Sequence, residues 1–148
     1  MVAVVRPDSW DFPLFLHVLG AMLLVGGLIT GGLALALARG ETRLLRLGYG
    51  SLLLVSLPGW ILMRAGAQWI YDKEGFTGHD DPTWVGIGFF TADIGGIVFL
   101  IALVLGGIGL YRLRRGRGVG FLRASMVLSL VLLVAYVVTI WAMGAKPS

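Results

Sequence analysis

The stretch FPLFLHVLGAMLLVGGLITGGLALALA, Phe12 to Ala38, decides the fold. Its 27 residues carry no formal charge, and His17 and Thr30 are its only polar side chains. A helix needs roughly 20 mostly apolar residues to cross the hydrocarbon core of a bilayer. Three further stretches repeat the pattern. The second starts near Leu47 and is interrupted by Arg64, but continues to about Tyr71. The third runs from about Trp84 to Tyr111 with Asp93 inside it, and the fourth from about Gly120 to Met143, uncharged from Ala124 onward. Trp10, Trp60, Trp69, Tyr71, Trp84, Tyr111 and Trp141 fall mostly near span ends, where amphipathic rings favour the interface. The sequence therefore predicts an all-α protein: one domain over residues 1–148, a bundle of four transmembrane helices.

Composition agrees. Hydrophobic residues make up 57% of the chain and charged ones 14%, whereas soluble domains run near ~45–50% and ~25%. The absence of cysteine excludes disulfides, thiolate metal sites and a cysteine nucleophile. Two histidines, His17 and His79, are too few for an all-protein zinc site.

The net charge of +4 is unevenly placed. The loops 39–46 and 112–123 hold eight arginines against Glu41, a balance of +7, while the other polar ends sum to −3. Such sidedness argues against a nucleic-acid partner and for a bilayer. By the positive-inside rule the two basic loops face the cytoplasm, and both termini and the loop 72–83 lie outside the inner (plasma) membrane. The first helix is expected to be retained, because its apolar stretch is too long for a signal-peptide core and its positive charge follows it.

Glycine is abundant, with 23 residues. Gly27 and Gly31, Thr91 and Gly95, and Ala102 and Gly106 form small-xxx-small pairs that let helices approach closely. They suit packing within one subunit; a homodimer seam is the alternative, as is membership of a larger membrane complex. Pro58-Gly59 is expected to kink the second helix.

Polar residues converge in one half of the membrane. Counted from the outer helix ends, His17 lies roughly 8 Å deep, Arg64 roughly 10 Å, Asp93 roughly 14 Å, and Tyr136 with Thr139 roughly 8–12 Å. His17, Gly20, Leu24, Gly27 and Gly31 share one stripe, and Ser125, Ser129, Leu132, Tyr136, Thr139 and Met143 another. Arg64 and Gln68 are four apart on one face. The expectation is an outward-opening polar pocket holding Gln68, Asp93, Tyr136 and Thr139. Intramembrane charges usually pair, so Arg64 and Asp93 also read as an ion pair joining the second and third helices.

His17 is the sharpest site residue. It reads either as a helix–helix hydrogen bonder or as a metal or haem-iron ligand. With the glycine stripe below it as a slot, the cofactor expectation is haem b, with Arg64 pairing a propionate; no second axial ligand is obvious, Met143 and solvent being weak options. His79, Asp80 and Asp81 in the acidic loop offer at most a weak cation site. No nucleotide loop, nucleophile elbow or zinc-protease motif appears.

The segment Leu16-His17-Val-Leu-Gly20 through Gly26-Gly27 resembles the opening helix of small membrane proteins of the CopD-like and HemJ-like kind, including an actinobacterial-type group of them. The ending Trp141-Ala-Met-Gly-Ala-Lys146-Pro147 is similar to the Lys-Pro ending of some. The resemblance implies a histidine-bearing bundle linked to haem or metal chemistry, with His17 as the position carried over. HemJ-like proteins are associated with protoporphyrinogen oxidation and use an intramembrane lysine; this chain has none within a span, which argues against that activity. The leading expectation is thus a haem- or metal-binding membrane protein with a redox-related role. A non-enzymatic accessory or scaffold subunit and a small transporter are the alternatives.

Overall fold

The computed structural model describes residues 8–75 and 81–145. Every regular element among them is helical. A 3-10 turn, Asp8–Trp10, leads into α1, Asp11–Leu37. Next come α2, Thr42–Ser51, a π-helical turn, Leu52–Ser56, and α3, Leu57–Glu74, which form one continuous rod. α4 covers Thr83–Arg114 and α5 covers Gly120–Ala145. Four helices, Asp8–Leu37, Thr42–Glu74, Thr83–Arg114 and Gly120–Ala145, are long and apolar enough to cross a membrane.

The helices overrun the apolar stretches. The second begins at Thr42 rather than near Leu47, taking in Arg43 and Arg46. Hydropathy marks only residues suited to lipid, whereas backbone hydrogen bonding continues until a residue stops it. The stops are visible. Gly75 ends α3 at φ 72° and Gly116 follows α4 at φ 68°, both in the left-handed region that glycine enters without penalty.

Pro58 was expected to kink the second helix; the structure places the π-helical turn immediately before it. The Leu57 N–H reaches the Leu52 carbonyl, five residues back. Proline has no N–H, and its ring would press on the Leu54 carbonyl in a regular α-helix. The wider turn relieves that clash.

Helix α1 packs on the α2–α3 rod almost backbone to backbone. A Cβ on Gly59 would stand 2.5 Å from Leu24 N and 2.9 Å from Gly20 O, and one on Gly66 would stand 2.6 Å from His17 N. Ser51 and Ser56 hydroxyls donate across the seam to Gly27 O (3.2 Å) and Leu24 O (3.3 Å). Lipid tails are as apolar as leucine, so such close packing and interhelical hydrogen bonds hold the seam rather than the hydrophobic effect. Gly27 and Gly31 are therefore spent inside the chain, against Ser56 and Leu52.

The pair α4–α5 is built the same way. Gly109 meets Leu122, Gly106 meets Ser125, and Gly95 lies under the Tyr136 ring. Helix α5 also packs on α1, with Leu130 over Gly32. Between α4 and the α2–α3 rod the contact is instead made by large side chains. The Trp60 indole N–H donates to Ala92 O at 3.0 Å, and Tyr49 lies over Gly106 and Gly107. Leu24, Leu28, Leu52, Phe99 and Leu122 are fully buried at the centre, while Met22, Leu54, Phe90, Val104, Val134 and Trp141 face outward, as a lipid solvent allows.

Candidate functional site

His17 sits on α1 directly across from Gly66 of α3. That close approach brings its ring to the backbone one turn away: His17 Nδ1 lies 3.0 Å from Met63 O. A carbonyl only accepts, so Nδ1 carries the proton and donates it. In the neutral ring Nε2 is then unprotonated and available as a ligand.

His17 lines two neighbouring cavities. The inner one, about 60 Å³, is walled by His17, Met63, Tyr136, Thr139 and Met143 among others. The outer one, about 240 Å³, is bounded by His17, Met143, Tyr71, Glu74 and Trp84 and forms the mouth at the helix ends. His17, Ala67, Phe89 and Met143 belong to both, so the two meet at His17. The mouth lies among acidic groups: Glu74 on its wall, with Asp11, Asp72 and Asp81 at the same helix ends.

Tyr136 is 3% exposed. Its hydroxyl is buried with no hydrogen-bond partner among the described residues. Thr139 Oγ1 stands 3.0 Å from Thr91 Oγ1 and 2.9 Å from Ala135 O, so its polarity is absorbed by the α4–α5 packing.

Arg64, Gln68 and Asp93 are elsewhere; none of them lines either cavity. Arg64 Nε donates to Asp93 Oδ1 at 2.7 Å, Arg64 Nη1 to Gln68 Oε1 at 3.0 Å, and Gln68 Nε2 to Asp72 Oδ1 at 2.9 Å. The Arg64 guanidinium also lies over the Phe89 ring, 4.8 Å from its centroid. This ladder runs along the outside of the bundle; the paired side chains are 26% and 53% exposed. The expected single pocket is therefore two features, an interior cavity and an exterior polar ladder. Residue counting gives depth but not direction around the axis. Gly59, Met63 and Gly66 face α1, which turns Arg64, one residue or about 100° further round, away from the interior.

Haem b does not fit these residues. The glycine stripe beneath His17 is no slot: Gly20, Gly27 and Gly31 are filled by Met63, Ser56 and Leu52 of the adjoining rod. Arg64, the expected propionate partner, is already committed to Asp93. Nor is there a hard-metal cage, since no group of three His, Cys, Asp or Glu converges among the described residues. Of the loop trio, His79 and Asp80 lie outside the described residues, and Asp81 accepts a 2.6 Å hydrogen bond from the Tyr71 hydroxyl. The residues around the inner cavity are of a softer kind: one histidine and two methionines, Met63 and Met143. Sequence reading overlooked Met63. The signal was its place on the stripe Gly59, Met63, Gly66 at helical spacing. Set against family models, curated proteins and solved structures, the chain matches none of them.

Proposed function

We propose that the inner cavity binds a soft metal ion, Cu(I) by the chemistry of its donors, and that the protein handles this ion in a redox-related role within the plasma membrane. The observation that carries the reading is the His17–Met63 O hydrogen bond at a cavity that two methionines line. A ligating histidine typically donates its other ring N–H to a carbonyl or carboxylate, which fixes the tautomer and raises ligand basicity. Thioether sulfur selects Cu(I), and imidazole tolerates it. His17, Met63 and Met143 are the ligand set. The acidic mouth raises the local concentration of cations, and Glu74 stands on the way in. The basic loops at the opposite end support an outward-facing mouth by the positive-inside rule.

The test is Cu(I) binding by purified protein against a chromogenic Cu(I) chelator, with helical circular dichroism as the folding control. One Cu(I) per chain is expected. His17→Ala should abolish binding, and Met143→Leu should weaken it at least about tenfold, the scale seen when ligand environments are disturbed. Folded wild-type protein that retains no Cu(I) above a detergent blank would overturn the reading. A Soret band from haem-supplemented cells, lost in His17→Ala, would replace it with haem ligation.

One observation favours a second reading, an accessory subunit. The Arg64–Asp93 ladder faces outward within a span, and charges at that depth are normally covered. A partner helix would cover it. Purification in mild detergent as a solitary monomer would count against this.

A further inference from the structure

The opposite end of the bundle carries eight arginines and one acid, Glu41. Among the described residues the one ion pair is Arg64–Asp93, so none of these guanidiniums has a carboxylate partner there. Some are held by rings: Arg112 lies over Phe121 and Arg115 over Tyr111. Arg39 and Arg123 are exposed and line a cleft of about 270 Å³ between the ends of α1, α2 and α5.

Three features of that cleft favour an anion. Arg39 enters from the α1 side on a tight turn, closed by Glu41 N–H to Ala38 O at 2.6 Å. Its φ is 42°, in the left-handed region that few non-glycine residues occupy. Arg123 enters from the α5 side, one turn into the helix. Beneath them is the start of α5 itself. Val119 O accepts the first helical bond, from Arg123 N–H at 3.0 Å. The first-turn N–H groups therefore precede any partner within the helix, and the positive end of the 26-residue dipole lies beside the cleft, which Val119 and Leu122 line while Gly120 and Phe121 line a neighbouring one. The rest of the cleft is apolar, walled by Leu35, Leu45 and Leu122.

We infer that this cleft binds the phosphate of an anionic phospholipid, with Arg39 and Arg123 as its paired donors and the start of α5 beneath it. Basic pockets between membrane helices suit such headgroups. A free phosphate shares the charge chemistry, but the apolar lining of the cleft favours a lipid over it. The site lies at the other end of the bundle from His17, so it stands or falls independently of the copper reading.

The experiment is native mass spectrometry of the detergent-solubilised full chain, titrated with phosphatidylglycerol and read as the apparent Kd of the first bound lipid. Arg39→Gln/Arg123→Gln should bind about thirtyfold more weakly, from the contribution of each basic side chain near an anionic lipid. Arg114→Gln/Arg117→Gln removes the same charge outside the cleft and should stay within about threefold of wild type. Excess phosphatidylcholine should not displace the lipid. Equal losses in the two double variants would overturn the site in favour of diffuse attraction. Displacement of the first lipid by millimolar inorganic phosphate would make it a free-anion site instead.

Discussion

Gly66→Ala tests the seam and the site together. The added Cβ would stand 2.6 Å from His17 N, 2.8 Å from Pro13 O and 2.9 Å from His17 Cα, all backbone or bonded directly to it. None can swing aside as a side-chain tip would, so α1 and α3 must part by about 0.5–0.8 Å to restore ordinary contact. Overpacking of this kind costs about 1–3 kcal/mol. Parting also stretches the 3.0 Å His17 Nδ1–Met63 O bond, worth about 1 kcal/mol, beyond good hydrogen-bond length. Alanine returns up to about 1 kcal/mol through helix propensity. The net expectation is about 1–3 kcal/mol of destabilisation. Gly26 is the control, since a Cβ there meets nothing within 4 Å; Gly26→Ala should stabilise by up to about 1 kcal/mol. Unfolding in mixed micelles of mild detergent and dodecyl sulfate, followed by circular dichroism, reads both. If Gly66→Ala proves as stable as Gly26→Ala, the claim that glycine packing holds α1 on α3 and orients His17 is refuted.

Other expectations can be checked with the same unfolding assay. Arg64→Met leaves Asp93 without a counter-ion and should cost about 1–3 kcal/mol, less than a fully buried pair because both groups keep some exposure. Arg64→Met/Asp93→Leu should regain most of that, and simple additivity of the two single costs would show that the pair does not interact. Tyr136→Phe removes a hydroxyl without a partner, so stability should hold or rise by up to about 1 kcal/mol; a loss above about 2 kcal/mol would mean that the hydroxyl is engaged in the folded protein. Thr139→Val should cost about 0.6 kcal/mol, the ordinary worth of an interhelical hydrogen bond such as the one to Thr91; no change would show that the Thr91 contact adds nothing.

The chain's own residues determined the four helices and their approximate extents, because a solvent of hydrocarbon demands about 20 apolar residues per crossing and leaves a mark that one sequence suffices to read. The uneven charge was equally plain in Arg39, Arg43, Arg46 and the run from Arg112 to Arg123. So was the position of His17, Tyr136 and Thr139 along their helices, since rise per residue is constant. Azimuth was decided only by tertiary packing. Which way α3 turns depends on Gly59 and Gly66 finding the α1 backbone, a contact between residues 35 to 53 positions apart that no local period encodes. That rotation put Met63 against His17 and sent Arg64 and Gln68 outside to Asp93 and Asp72. It also closed the glycine stripe that, on the isolated helix, looked like room for a macrocycle. A glycine in sequence marks where something comes close; only the folded bundle decides whether that is a ligand or the neighbouring helix.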